Sequence, residues 1–83
     1  MKLAKYSKFR EEKFGGVLFE TRTEKVFALN PTATAIVRAI GSGCDEAGLI
    51  GRLQQQFADS SGALEGEVRT FIADLRKQGL LED

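Results

Sequence analysis

The chain contains no histidine and no tryptophan, and only one cysteine, one proline and one methionine among its 83 residues. Without imidazole the commonest general base is missing, and so are the usual nucleophilic triads. The single Cys44 can form no intrachain disulfide and no thiolate cluster for a metal, and such sparse use of cysteine fits a reducing, cytoplasmic setting. No apolar run approaches the roughly 20 residues of a membrane span. The basic start, Met1-Lys2-Leu3-Ala4-Lys5, is not followed by the apolar stretch of a secretion signal. These absences argue against secreted scaffolds, zinc modules, membrane anchors and self-sufficient enzymes, and no cofactor is expected.

What is present suits one small domain covering residues 1–83, with 42% apolar and 29% charged residues. A chain of this size hides only about 60–65% of its unfolded surface on folding. Twelve basic and twelve acidic side chains give a formal net charge of zero. The zero conceals a gradient. Residues 1–25 carry seven basic and four acidic groups, net +3, and residues 26–83 carry five and eight, net −3. Net charge bears on partners rather than on fold, and the basic first segment is suited to attract an acidic partner.

The two halves also differ in periodicity. Val17–Thr21 and Lys25–Leu29 are short runs of aromatic and branched residues, which favour strands. The polar Thr21-Arg22-Thr23-Glu24 between them has the length of a hairpin loop but no Asn-Gly or Asp-Gly, so its turn type stays open. A third strand is expected around Lys8–Lys13. Asn30-Pro31 then marks a switch, since asparagine caps helices and proline is tolerated at the first helical position. Ala33, Ile36, Val37 and Ile40 form the apolar stripe of a first helix, which Gly41-Ser42-Gly43 ends. Asp45 caps a second helix bearing Leu49, Ile50, Leu53 and Phe57. A loop at Asp59-Ser60-Ser61-Gly62 leads to a third helix with Leu64, Val68, Phe71, Ile72 and Leu75, and Gly79 stops it. Leu80-Leu81 can fold back on the core. Three strands followed by three helices predict an α+β domain with the helices on one face of a small antiparallel sheet.

Chemistry is scarce along this chain. Cys44 has no base to activate it and reads as a small, partly buried filler. Gly41-Ser42-Gly43 lacks the lysine of a phosphate loop. Glu11-Glu12 and Asp45-Glu46 are neighbours in sequence rather than converging pairs, and suit a solvated surface. Binding is the better prospect. Three helices after a hairpin invite comparison with helix-turn-helix DNA-binding regulators, yet a DNA reader needs a basic helix. The second helix offers Arg52 against Asp45 and Glu46. The third sets Arg69, Arg76 and Lys77 against Glu65, Glu67 and Asp74. The alternative is an exposed strand edge that captures a peptide by strand addition, and Lys25–Leu29 is the run that leads into the first helix.

Two stretches carry a family likeness. Gly15-Gly16-Val17-Leu18-Phe19 with Val26-Phe27-Ala28-Leu29-Asn30-Pro31-Thr32-Ala33 is one. Val68-Arg69-Thr70-Phe71-Ile72-Ala73-Asp74-Leu75 with Gly79-Leu80-Leu81 is the other. Together, over about residues 8–82, they resemble the PqqD family, the small peptide chaperones of pyrroloquinoline quinone biosynthesis and the wider recognition elements of ribosomally made, modified peptides. The resemblance implies three antiparallel strands and three helices in a truncated winged-helix arrangement, without catalysis. It implies binding of a precursor's leader segment as an added strand, and its presentation to a modifying enzyme, often a radical SAM enzyme. Carried onto this chain, the implied edge is Lys25, Val26, Phe27, Ala28 and Leu29, and the facing helix holds Val68, Arg69, Ile72 and Arg76. The Gly15-Gly16 pair and the Thr21–Glu24 loop are more similar to the generic members of this group than to the quinone-cofactor branch, so the product stays open.

On residue spacing, Phe71, Leu75 and part of Val68 are expected in the core. Arg69, Ile72, Ala73 and Arg76 form an adjacent stripe that could line the groove, with Ile72 giving apolar contact and the two arginines steering acidic leader residues. Pairing of those arginines with Glu65, Asp74 or other neighbours is the competing reading. The expected partners are therefore a leader peptide and a peptide-modifying enzyme, with no membrane and with nucleic acid disfavoured. A homodimer through the strand edge is a third possibility.

Overall fold

The computed structural model describes residues 1–57 and 62–82. Its elements run β1 (Lys2–Leu3), β2 (Ser7–Glu12), β3 (Gly15–Glu20), β4 (Lys25–Leu29), α1 (Pro31–Gly41), α2 (Glu46–Gln56), α3 (Ala63–Lys77) and β5 (Leu81–Glu82). The α+β order expected from the sequence is the one observed, with strand β2 one residue earlier than expected and β3 beginning at the glycine pair. Of the expected 59–62 loop, residues 59–61 lie outside the described residues, and Gly62 is the N-cap of α3.

The main sheet is antiparallel in the order β2-β3-β4. Its register sets Phe9 opposite Leu18, Leu18 opposite Phe27, and Gly16 opposite Leu29. Alternation along each strand turns Leu18 and Leu29 inward, and leaves Val26 and Ala28 on the outer side. Gly15 is required by close approach. Its φ of 155° suits glycine, and a Cβ there would fall 2.3 Å from the Leu29 carbonyl oxygen. The β3–β4 turn is built by Glu24 in the left-handed region at φ 61°, the one conformation in this hairpin that its residue types did not announce.

α1 is the central element. Asn30 caps it, its Oδ1 accepting from the Ala33 amide at 2.8 Å, and Pro31 is its first residue. Ala35, Ile36, Val37, Ala39 and Ile40 are all buried, because α1 packs against β3 on one side and α2 and β1 on others. Asp45 caps α2 by accepting from the Gly48 amide at 2.7 Å. Cys44 is partly buried and its Sγ lies 3.2 Å from the Ala39 carbonyl.

α3 ends in a Schellman motif. The Leu80 amide donates to the Leu75 carbonyl and the Gly79 amide to the Arg76 carbonyl, with Gly79 at φ +76°. This turn buries Leu80 and Leu81 in the core. It also presents the Leu80 carbonyl to the Ala4 amide and the Ser7 hydroxyl, and aligns β5 with β1 in a small second sheet. The chain ends are thereby tied together.

Candidate functional site

The two edges of the main sheet differ in a way that matters. β2 reads Ser-Lys-Phe-Arg-Glu-Glu, and β4 reads Lys-Val-Phe-Ala-Leu. Charged side chains are a standard protection against unwanted pairing along a strand edge. β2 has that protection. β4 has one charge, at its first residue, and no described strand lies on its other side. Val26 on this strand is 60% exposed.

Beside β4 stands α3, and a gap separates the two. α3 packs on α2 and β5, while β4 packs on β3 and α1. The gap is a depression of about 390 Å³ whose lining includes Phe27, Ala28, Leu29, Phe71, Asp74, Leu75, Lys77 and Leu80. Two further depressions continue from it. One, of about 170 Å³, lies where Asn30, Thr32 and Ala33 at the start of α1 face Glu67 and Phe71. The other runs along α3 past Gly66, Glu67, Thr70, Phe71 and Asp74. Phe71 lines all three. The result is a groove with the unpaired edge of β4 on one wall, a helix on the other, and an aromatic ring at its centre.

The sequence placed this wall on a different part of α3. Ile72, expected to offer apolar contact, is completely buried in the core and has no surface to give. Phe71, expected in the core, is only partly buried and packs at the core's margin. One residue on a helix is about 100° of rotation, so exchanging these two moves the whole stripe. Arg69, Ala73 and Arg76 lie about half a turn away from the Glu67–Phe71–Asp74 line and are exposed. Arg69 donates to Glu65 at 3.0 Å and to Glu46 of α2 at 3.4 Å. The hydrogen bond that Arg69 donates to Glu65 raises the guanidinium pKa still further. Arg69 is thus engaged toward α2, and the acidic-leader role given to it is not supported by its position. The groove wall of α3 carries Glu67 and Asp74 instead, with Lys77 at its far end.

The edge residues Lys25, Val26, Phe27, Ala28 and Leu29 do form one strand, and Phe27 and Leu29 face the groove's apolar floor. Phe71, Glu67 and Asp74 share the flank of α3 that lines these depressions, a phase that apolar spacing alone does not mark. On the opposite face of α1, a further depression of about 410 Å³ is bounded by Phe14, Phe57 and Arg38. There Arg38 makes a paired contact with Glu11, which lowers the Glu11 pKa, and Phe14 at the β2–β3 turn is 82% exposed.

The described residues hold no cluster of His, Cys, Asp and Glu fit for a metal, and no helix among them is long and apolar enough to cross a membrane. What the groove can offer is main-chain pairing along β4 and side-chain selection across from it. A three-stranded antiparallel sheet followed by three helices, with an open edge strand beside the last helix, defines a small α+β domain with one unprotected strand edge. Residues 15–81 match the family Coenzyme PQQ synthesis protein D (PqqD), and the chain belongs to that family. The fold is similar to that of TbiB1, solved in complex with the TbiA(beta) leader peptide, with a TM-score of 0.89 and 20% identity over 99% of this chain and 95% of that one. It is also similar to a lasso peptide synthetase B1 complexed with the leader peptide, with a TM-score of 0.82 and 21% identity over 99% and 96% of the two chains. No curated protein gives a significant sequence match.

Proposed function

We propose that this protein is a non-catalytic recognition element that binds the leader of a ribosomally made precursor peptide as a fourth strand on β4. It then presents the peptide to a modifying enzyme, of the radical SAM type on the family resemblance. The observation that carries this reading is the unpaired edge of β4, charged only at Lys25, next to the groove centred on Phe71. The family match and the leader-bound structures of similar fold support it. The binding residues are Lys25, Val26, Phe27, Ala28 and Leu29 on the strand, and Glu67, Phe71 and Asp74 on α3.

The magnitudes suit a carrier that must release its cargo. Four or five main-chain hydrogen bonds at about 1 kcal/mol net each and two apolar anchors at about 2 kcal/mol each give roughly 8–9 kcal/mol before ordering costs. Ordering the peptide takes back about 1–2 kcal/mol per residue. Binding in the micromolar range, about −8 kcal/mol, therefore requires contacts beyond the strand itself or the help of the enzyme.

The test is a titration of the isotope-labelled chain with the leader of the precursor encoded beside its gene, followed by amide NMR. Shifts should concentrate on Lys25–Leu29 and along α3 from Glu67 to Gln78, and Phe14→Ala, on the far side of α1, should leave them unchanged. Shifts confined to the Phe14–Phe57 side, or none at millimolar peptide, would refute the assignment.

A further inference from the structure

The groove has a charge pattern of its own. Glu67 and Asp74 stand on either side of Phe71 on the groove flank of α3, and both are exposed. Two of the three cations of α3 are placed elsewhere. Arg69 is drawn toward Glu46 and Glu65 and Arg76 falls on that same far flank of the helix, while Lys77, three residues on from Asp74, lines the same depression beside Phe27. A strand added to β4 would continue the inner face of the sheet, and every second side chain would point at this wall.

Resting on the peptide-binding reading above, we propose that the groove selects a leader segment whose inward side chains run basic, apolar, basic at alternate positions. The spacing follows from the two geometries. Glu67 and Asp74 are seven residues apart on a helix, about 10.5 Å along its axis. Residues i and i+4 of a strand are about 13.5 Å apart, a span that flexible lysine or arginine chains adjust to reach both carboxylates. The residue between them, at i+2, falls opposite Phe71 and takes the apolar anchor. Charge complementarity of this kind sets register and selects among partners more than it adds affinity, because exposed pairs are individually weak.

The probe is a phage library of random 12-residue peptides panned on the full chain. Selected sequences should carry Lys or Arg two residues to either side of an aliphatic or aromatic residue, about threefold above the library. A synthetic, fluorescently labelled peptide of the most enriched sequence should lose about two- to fivefold in affinity for each basic residue changed to Glu. On the chain carrying Glu67→Lys and Asp74→Lys, the order of the two peptides should reverse. On the milder pair Glu67→Gln and Asp74→Asn, the preference should vanish, with circular dichroism confirming the fold in both. Peptides enriched without basic residues, or a charge preference that survives these substitutions, would overturn the proposal and leave peptide binding standing. Failure to enrich any sequence would overturn the peptide-binding reading and this one with it.

Discussion

Arg69 donates to the Glu65 carboxylate one turn earlier on α3, and reaches Glu46 on the neighbouring helix with its other nitrogen. Glu65 lies on the flank of α3 away from the groove line and Glu46 on α2, so the arginine braces two helices and the groove flank keeps its negative charge. The pairs are exposed, at 56% for the Arg69 side chain, and solvent-screened pairs contribute little to stability. Arg69→Ala is therefore expected to change leader affinity by less than about twofold, measured by fluorescence anisotropy, with nearly unchanged thermal unfolding. A tenfold loss of affinity would return Arg69 to the groove.

Adjacent residues on α3 should separate binding from folding. Phe71→Ala removes the ring that lines all three parts of the groove from a site that is already partly exposed. Aromatic anchors at the centre of an interface dominate its energy, so affinity should fall about tenfold or more. Ile72→Ala empties a fully buried core position and should cost about 2–4 kcal/mol in urea unfolding. While the chain stays folded, its peptide affinity should remain near that of the unmodified chain. The reverse pattern would mean that the sequence-based phase of the helix was the right one.

That exchange shows where sequence reading stops. Asn30-Pro31, the Asp45 cap and the Gly79 stop are local signals whose hydrogen bonds close within a few residues, and each marks the boundary it was expected to mark. Apolar periodicity gave a stripe on α3 that includes both Phe71 and Ile72. Which of the two faces inward depends on how α3 leans on α2 and β5, and spacing within one helix carries no information about that. The pairing of β1 with β5 was invisible for a related reason. Two-residue strands from opposite ends of the chain have no period to detect. Of the two readings open for Arg69, the structure has the pairing with Glu65 that its spacing allowed, and adds Glu46 on another helix, which spacing within α3 could not supply.

Glu24 offers a test of backbone strain in the hairpin that carries the binding edge. Its φ of 61° is a conformation that costs a non-glycine residue about 1 kcal/mol or more, while glycine pays there mainly in unfolded-state entropy. Glu24→Gly should be neutral or stabilising by up to about 1 kcal/mol, read as a higher urea midpoint with an unchanged slope. The strand edge at Lys25–Leu29 should keep its amide exchange pattern. A clear loss of stability would mean that the Glu24 side chain makes a contact that outweighs the strain.

Glu20, at the other end of the same turn, should make the protein acid-sensitive in a defined window. Its side chain is buried and accepts from the Thr23 hydroxyl and amide and from the Arg22 amide and Nε. The Thr23 hydroxyl hydrogen bond is the largest cause of a pKa lowered from 4.5 to about 2, against the opposing effect of burial. A carboxylate whose pKa is depressed on folding adds stability that is fully present above its unfolded value and disappears as pH falls through the folded one. Stability should hold from neutral pH down to about 5, then fall toward pH 2 as the unfolded state takes up its proton first. Glu20→Gln removes the charge and leaves the shape, so it should lower the urea midpoint at pH 7, and the gap to the unmodified chain should narrow steadily between pH 5 and pH 2. A gap between the two chains that stays constant from pH 7 to pH 2 would show that the Glu20 charge is not what closes this turn.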